Sequence, residues 1–339
     1  MTPTTISTTL PAARQPTRRT LLGAAGAATL AAAGVTAQTQ AAWPSQQLRI
    51  IIPFAPGGTS DFIARLIAPA LGQALGVQAV VENRTGANGN VGAAAVAQAT
   101  DGHTLLLSDL GSIAIAHLVA QDLTWQPKDL KGVTMLAYSP HLLAAHPSVP
   151  ASNMKELVEY SKTKRINVAS AGNGTVNHLG VVEIALATGL KWQHVPYRGG
   201  AQALNDTVAG TTQLVLNGMV ATQPHVASGR LKTIGVSKRT RMALIGNVPT
   251  LAEQGVKDFE SGTYQGVAVS ANMPAANVAK LATALIGVIR SPDVRARMVA
   301  AGAEVMTSTP AELEGFITSE RKRWASVIQR AGKELEGTV

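Results

Sequence analysis

The sequence predicts an α/β protein folded into two lobes, and three observations support that class. Short runs of β-branched residues alternate with helical repeats and glycine turns after about residue 44, a pattern typical of α/β lobes with mainly parallel sheets. Prolines at positions 140, 147 and 150 mark a junction. Residues 264–266, followed by the apolar residues 267–269, predict a return strand. We therefore expect lobe 1 at 44–141 and 267–339, and lobe 2 at 142–266.

The individual elements follow from local signals. The first strand is predicted at 48–54, a β-branched run that ends at a proline. The helix that follows has Thr59, Ser60 or Asp61 as its expected N-cap residue, and Gly76 is placed to end it. Further strands are predicted at 77–82, 104–108, 166–169, 213–216, 233–236 and 267–269, and further helices at 91–99, 177–188, 277–289 and 310–332.

The composition is that of a globular chain that folds without disulfides. Of its 339 residues, 46% are hydrophobic and 14% are charged, and none is cysteine. The missing thiols exclude disulfides, thiolate metal sites, a cysteine nucleophile and a lipid-modified cysteine. The formal net charge is +9, and +6 of it lies beyond residue 37, an excess that favours anionic ligands. It does not indicate nucleic-acid binding, because no long basic run is interleaved with aromatic residues.

The first 37 residues are predicted to be a signal peptide. Arg18 and Arg19 precede an apolar, alanine-rich stretch, and Val35-Thr36-Ala37 offers a small-residue cleavage site. The arginine pair is similar to the twin-arginine type of export signal. The alternatives are an uncleaved anchor helix and export by the general route. A signal that is cleaved near Ala37 predicts a periplasmic protein.

Two glycine-rich loops of one design form the candidate anion site. Residues 54–61 and 170–178 each connect a predicted strand to a predicted helix, at the sheet edge where open α/β folds bind ligands. The start of a helix presents unpaired N–H groups and a partial positive charge, which suit a carboxylate or a phosphate. Because the loops fall in different lobes, they predict a cleft lined from both sides. Glycines that let an anion approach the backbone are Gly57, Gly58, Gly172 and Gly174; hydroxyls come from Thr59, Ser170 and Thr175; and His178 either caps its loop or touches the ligand.

The sequence lacks the motifs that identify several classes of enzyme. Residues 86–92 have glycines at every third position instead of the dinucleotide fingerprint, and neither a phosphate-binding loop nor a nucleophile elbow occurs. The seven histidines show no metal-ligand spacing. A hydrolase triad of Ser170, His178 and a remote aspartate can be drawn, but a sequence does not give its geometry. We therefore expect no catalytic residue, no metal and no cofactor, with an exported hydrolase as an alternative.

The chain resembles a known family, the substrate-binding proteins of tripartite tricarboxylate transporters of the Bug or TctC type. The resemblance extends from Trp43 to the last helix, and it depends on the number, order and spacing of its segments. The matching segments are 52–61 (IPFAPGGTSD), 80–84 (VVENR), 86–92 (GANGNVG), 101–106 (DGHTLL), 170–179 (SAGNGTVNHL), 194–204 (HVPYRGGAQAL) and 248–253 (VPTLAE).

This resemblance implies a fold and a set of ligand contacts. The fold would be the two-lobed periplasmic-binding-protein fold, type II-like, with a hinge of two crossover strands. Loop amides and ordered waters near Phe54 to Asp61 would hold a ligand carboxylate. By position, the rest of the cleft would be lined by Asn88, Ser108, Ser170, Gly174, Thr175, His178 and Tyr197. Members of the family hand their ligand to a membrane permease, and some signal through a sensor instead.

The chain departs from the family pattern in three places. The aromatic pair that is common before the return strand is Tyr264-Gln265 here, a change expected to alter the cleft wall. The acid that is usual after a strand of the second lobe is Asn217 here, and Gln213 replaces a preceding aspartate. In relatives an acid near this position can meet a ligand amine, so a neutral Asn217 favours a ligand without an ammonium group. We therefore expect a monomeric receptor for a di- or tricarboxylate or an aromatic carboxylate, with permease subunits as partners. A sensory protein that docks on a sensor kinase is the alternative.

Overall fold

The computed structural model describes residues 43–120 and 122–332 of the chain. The predicted signal peptide, residues 1–37, lies outside the described residues. The strands are β1 (Leu48–Ile52), β2 (Ala79–Asn83), β3 (Thr104–Asp109), β4 (Leu130–Ala145), β5 (Asn167–Ser170), β6 (Gln193–Pro196), β7 (Leu214–Gly218), β8 (Lys232–Val236), β9 (Gly262–Ser270) and β10 (Glu304–Val305). The helices are α1 (Thr59–Leu75), α2 (Asn90–Ala97), α3 (Leu110–Val119), α4 (Met154–Thr163), α5 (Val176–Thr188), α6 (Gly200–Val208), α7 (Met219–Ala227), α8 (Ala275–Arg290), α9 (Pro292–Ala300) and α10 (Pro310–Ala331).

The first strand and helix form where the local signals place them. β1 pairs in parallel with β2 on one side and with β3 on the other. It ends at Ile52, two residues before the predicted end, because Pro53 has no N–H to donate to the ladder. α1 ends at Gly76, which takes the left-handed conformation that closes a helix (φ 72°), as predicted.

β4 and β9 are the two crossover strands. β9 lies between β3 and β4 and is antiparallel to both. β4 pairs with β9 over residues 130–140 and with β7 and β8 over residues 141–145. Pro140, the first proline of the predicted junction, therefore lies inside a continuous strand, and Pro147 and Pro150 follow its end. Pro140 is still paired with Gly262, and the partner strand changes at His141.

The sheets are mixed, and this corrects the expectation of mainly parallel pairing. β1 is parallel to its two neighbours, and β5 is parallel to β6 and β7. The crossover strands, by contrast, pair antiparallel with every neighbour that they have. The two largest apolar clusters of the described residues lie apart, one containing Leu105 and Val267 and the other containing Leu157 and Leu214.

The C-terminal helix α10 contacts helices on both sides of the crossover. Trp324 is fully buried in a cluster with Ile115 of α3 and Leu179 of α5. Glu183 of α5 also lies 3.6 Å from Arg330 of α10. The sequence predicts the bounds of this helix to within one residue, but it does not predict that the helix joins α3 to α5.

Two features are absent from residues 43–120 and 122–332. No helix there combines the length and apolar character that a membrane span needs. In the same residues, no group of three or more histidine, aspartate or glutamate side chains is placed to hold a metal ion.

Candidate functional site

A cleft lies between the lobes, beside the crossover strand β9. One wall is the loop after β1, the start of α3 and β9, and the other is the starts of α5 and α6 and the end of β7. The lining residues are Ile52, Phe54, Ala55, Gly58, Thr59, Ser60, Asp61, Asp109, Ser112, Ala171, Asn177, Gly200, Asn217, Thr263 and Gln265. None of these lining residues is a lysine, an arginine or a histidine.

Two helices begin at this cleft without a side-chain cap. α1 starts after Gly58 and α6 starts after Gly199, and a glycine has no side chain with which to cap. The expectation that Thr59, Ser60 or Asp61 caps α1 is therefore wrong. Helices capped by a side chain are α3, α4, α5 and α10, through Asp109, Asn153, Thr175 and Thr309. The open starts of α1 and α6 present free N–H groups and partial positive charge from opposite walls, an arrangement that suits an anion.

Asp61 fixes the shape of the loop before α1. Its carboxylate accepts hydrogen bonds from Gly57 N (3.0 Å), from Asn83 Nδ2 (3.0 Å) and from the guanidinium of Arg65 (2.9 Å at closest). Burial raises the pKa of Asp61, but the bonds from Arg65, Gly57 and Asn83 outweigh burial and hold it below its usual value. Its charge is thus paired inside the loop and is not available to a ligand amine.

Asp109 is the second acid of the cleft, and it joins α3 to the crossover strand. Oδ1 accepts from Gly111 N (3.3 Å) and Tyr264 N (3.0 Å), while Oδ2 accepts from Ser112 N (3.2 Å) and Ser112 Oγ (2.7 Å). The side chain is only 3% exposed, and burial raises the pKa of Asp109 to about 6 in spite of these bonds. Both of its oxygens are occupied, so it offers no free acceptor to a ligand.

Neutral polar groups complete the cleft. Ser60 Oγ donates to Gln265 Oε1 at 2.7 Å. Asn177 Nδ2 donates to Asn217 Oδ1 at 3.3 Å, and Asn217 Nδ2 donates to the carbonyl oxygen of Gly200 at 3.4 Å. These last two bonds are long, so the Asn217 amide can be reoriented at little cost.

The lobes touch each other across the cleft. Ala55 N donates to the carbonyl oxygen of Arg198 at 3.3 Å. A Cβ at Gly199 would lie 3.2 Å from Ala55 N, and a Cβ at Gly172 would lie 2.4 Å from Asn88 Oδ1. Both glycines also have positive φ (134° and 137°), so other residues would be strained there. The structure is therefore a closed form in which glycines allow the walls to meet.

Five of the residues that the sequence singles out line the cleft together. They are Phe54, Gly58, Thr59, Asp61 and Asn217. Gly57, Asn88, Gly172 and Gly174 lie at contacts between segments, where Gly57 faces Ala201, Gly172 faces Asn88 and Gly174 faces Val119. As ligand contacts, all of these remain predictions.

The other predicted residues of the second loop are bonded to one another. Thr175 caps α5 by accepting from His178 N, and His178 Nδ1 accepts from Gly174 N at 3.0 Å. Ser170 Oγ lies 2.6 Å from His194 Nε2, and the two histidine rings stack with centroids 4.0 Å apart. Burial lowers the pKa of His178 to about 3. Ser170 thus pairs with His194, whereas the hydrolase triad is drawn with His178.

Two predicted residues lie away from the lining of this cleft. Ser108 is 1% exposed and sits in β3, opposite Gly266 of β9. The Tyr197 hydroxyl donates to Asp206 Oδ2 at 2.6 Å, and its ring packs beside a separate apolar cluster. Their contact with a ligand stays a prediction.

Several lining residues were not named as ligand contacts from the sequence. Of these, Ala55, Ser60, Ala171 and Asn177 lie within the two predicted loops, and Gln265 belongs to the pair that departs from the family pattern. The remaining residues that were missed are Ile52, Asp109, Ser112, Gly200 and Thr263. Asp109 and Ser112 follow the carboxyl end of β3, the same signal that pointed to the two glycine loops, so they could have been found. Thr263 carries no such local signal, because only the pairing of β9 with β4, in which Thr263 lies opposite Ser139, brings it to the cleft.

These features define a two-lobed solute-binding receptor, a protein that encloses a small ligand between its lobes. Sequence comparison supplies the family. The profile of the tripartite tricarboxylate transporter family receptor, TctC, matches residues 63–333. The chain belongs to this family, and the predicted resemblance is confirmed.

Relatives match over most of their length. A UPF0065 protein from Pseudomonas sp. strain P51 is 32% identical over 92% of this chain and 93% of its own. Protein BugT of Bordetella pertussis is 31% identical over 91% of this chain and 96% of its own.

Solved structures share the fold. The R. palustris protein Rpa4515 with adipate has a TM-score of 0.82 at 29% identity, covering 86% of this chain and 98% of that one. MatC of Rhodopseudomonas palustris with bound malate has a TM-score of 0.80 at 30% identity, covering 84% and 100%. The periplasmic binding protein BugD has a TM-score of 0.81 at 30% identity, covering 86% and 99%. The predicted α/β periplasmic-binding-protein fold is therefore confirmed.

Proposed function

We propose that this protein captures a small organic carboxylate between its lobes and delivers it to the permease subunits of a tripartite transporter. The observation that carries the proposal is the pair of uncapped helix starts, α1 and α6, on opposite walls of a cleft whose lining has no basic side chain. A carboxylate held by N–H groups of both helices is bound best when the walls meet. Ligand binding therefore shifts the population toward the closed form.

The relatives support this ligand class. One structural neighbour is bound to malate and another to adipate, and both are small dicarboxylates. The two acids share their carboxylates and differ in chain length and in a hydroxyl. Likeness to these proteins therefore favours a carboxylate ligand for this chain without choosing between acids with and without a hydroxyl.

We propose binding without catalysis. The two acids of the cleft have their oxygens occupied by donors of the protein itself, and neither Ser170 nor a histidine is among the residues that line the cleft. General acid–base chemistry needs a titratable group that can reach the ligand. We further propose a monomer that works in the periplasm without metal, cofactor or nucleic acid, exported by a twin-arginine signal cleaved near Ala37. The two arginines before an apolar stretch support this export route.

A thermal-shift screen of residues 38–339 tests the ligand class. Carboxylates, amino acids and neutral sugars are compared at equal concentration. A ligand present at a hundred times its Kd stabilises the native state by about 2.7 kcal/mol, which raises Tm by a few degrees. We expect shifts with carboxylates only, and recovery of the unchanged acid after incubation. Thermal shifts confined to sugars would contradict the proposed ligand class. Recovery of a converted product would show that the protein is an enzyme.

A substitution at the start of α1 tests the site. Gly58 has φ −84° and ψ 176°, and the nearest atom to an added Cβ is 3.9 Å away, so a side chain fits there. Gly58→Asp places a carboxylate where the ligand carboxylate is proposed to bind, and it should fold normally while losing the thermal shift. Gly58→Ala, which adds no charge, should keep most of the shift. Equal thermal shifts in the two variants would show that the anion does not bind at the start of α1.

Delivery is tested by uptake of the acid into proteoliposomes that contain the permease subunits. We expect uptake to depend on added receptor, and the Gly58→Asp variant to give none. Uptake at the same rate without the receptor would contradict the proposed delivery.

A further inference from the structure

Thr263 is a polar residue of the cleft whose hydroxyl has no partner. It lies on β9, lines the cleft and is 8% exposed. Its Oγ1 makes no hydrogen bond with any residue of 43–120 or 122–332. The hydroxyls of Ser60 and Ser112 on the same wall each donate to a neighbour. A buried hydroxyl without a partner costs free energy, so its place in a cleft points to a partner on the ligand.

Thr263 lies close to the uncapped start of α1. A Cβ built on Gly218, at the end of β7, would lie 2.6 Å from Thr59 Oγ1 and 3.4 Å from Thr263 Oγ1. The two hydroxyls therefore lie within about 6 Å of each other, and both residues line the cleft. Thr59 is the first residue of α1. If the ligand carboxylate binds at the start of α1, the ligand atoms next to its carboxylate carbon therefore lie beside Thr263.

The surroundings of Thr263 favour a neutral group on the ligand. Asp109 is adjacent, because the N–H of Tyr264 donates to it at 3.0 Å. A second carboxylate placed here would meet the charge of Asp109, and the lining has no basic side chain to neutralise it. An ammonium group would find both oxygens of Asp109 already occupied. A ligand hydroxyl can both donate to and accept from the hydroxyl of Thr263.

We propose that Thr263 hydrogen-bonds a ligand hydroxyl, and that the cleft selects small 2-hydroxy carboxylates over the same acids without the hydroxyl. This inference rests on the proposed function, since it takes the carboxylate to be held at the start of α1. Gln265 supports the same wall. The Gln265 side-chain oxygen accepts a hydrogen bond from Ser60, so the Gln265 amide nitrogen is the group that can donate to a ligand.

Calorimetric titration of the full mature protein with matched acids tests this selectivity. The pairs are malate with succinate, 2-hydroxyglutarate with glutarate, and lactate with propionate. We expect the hydroxy acid of at least one pair to bind about tenfold tighter, which is ~1.4 kcal/mol. Thr263→Val keeps the shape and removes the hydroxyl, and it should bring that ratio close to one. It should do so by weakening the hydroxy acid while leaving the plain acid within about twofold.

Thr233→Val is the matched control. Thr233 lies on β8, its Oγ1 also lacks a partner within the described residues, and it is not among the cleft residues. We expect this variant to keep the wild-type ratio. Without ligand, Thr263→Val should melt at or above the wild-type temperature, because it removes an unpaired buried hydroxyl. Thr263→Ser, which restores the hydroxyl, should restore the ratio, and Thr263→Ala gives the same test if the valine variant does not fold.

The outcomes separate this inference from the proposed function. Equal affinity of the wild type for both members of every pair, or equal weakening of both by Thr263→Val, would overturn the role of Thr263 and leave the carboxylate receptor intact. No binding of any carboxylate would overturn the proposed function itself.

Discussion

Replacing Asp109 by asparagine is expected to change the stability of the protein by different amounts at low and high pH. Burial raises the pKa of Asp109 from 3.8 to about 6 in the folded protein. The folded state therefore binds the proton more tightly than the unfolded state, and this contribution to stability is lost as the pH rises through about 6. A rise from 3.8 to about 6 corresponds to about 3 kcal/mol.

The hydrogen bonds of Asp109 determine the pH-independent part of the change in stability on replacement by asparagine. Asparagine can place its oxygen at the Oδ1 position and keep the bonds from Gly111 N and Tyr264 N. Its amide nitrogen can then donate to Ser112 Oγ, but Ser112 N loses its acceptor. One buried N–H without a partner costs about 1–3 kcal/mol. Near pH 4 the variant should be less stable by about that amount, and near pH 8 the difference should shift by about 3 kcal/mol in its favour.

Urea unfolding of both proteins at intervals from about pH 4 to about pH 8 measures this difference. Asp293→Asn is the control for the same change of side chain at a surface position, because the Asp293 side chain is 81% exposed. A stability difference between wild type and Asp109→Asn that stays constant over this range would refute the reasoning. A variant that becomes relatively less stable as the pH rises would show that the four donors, and not burial, decide the pKa.

Three further changes have expected outcomes. Gly199→Ala should weaken ligand binding about tenfold in calorimetry, because its Cβ would lie 3.2 Å from Ala55 N in the closed form; Gly189→Ala, with open space around it, should not. Trp324→Ala should lower the free energy of unfolding by about 3–5 kcal/mol in urea, and a loss below about 1 kcal/mol would mean that α10 is not anchored by this residue. Asp61 has a lowered folded pKa, so its stabilising contribution is present above its unfolded value of 3.8 and is lost as the pH falls. Asp61→Asn should therefore remove part of the acid-side loss of stability in pH-dependent unfolding.

Local signals predicted most of the elements. Gly76 ends α1 and Thr175 starts α5, because a left-handed glycine and a capping hydroxyl act within one turn of chain. β4 was missed because its signal is not local. Its residues are polar, small or proline in part, and they form a strand of 16 residues because β7, β8 and β9 supply partners.

The site was only partly predictable for the same reason. The two glycine-rich loops can be recognised from the sequence, and five of the residues named from the sequence line the cleft. The missing cap on α1 was not foreseen, since three good capping residues follow Gly58 directly. Asp61 is used instead to bind Gly57 N, which sets the loop and leaves the helix start open. Thr263 lies about 200 residues further along the chain, and only strand pairing brings it beside α1.

The position of β9 has a consequence for the order in which the chain can fold. β9 lies between β3 and β4 and pairs with both. The first-lobe sheet is therefore complete only when residues 262–270 are available to join these two strands. While the chain is being synthesised, the edges of β3 and β4 stay open until almost four-fifths of it has emerged. Open edges of this kind are templates for aggregation. The nascent chain should therefore depend on a chaperone longest in its first half, although the second lobe can form earlier from contiguous sequence.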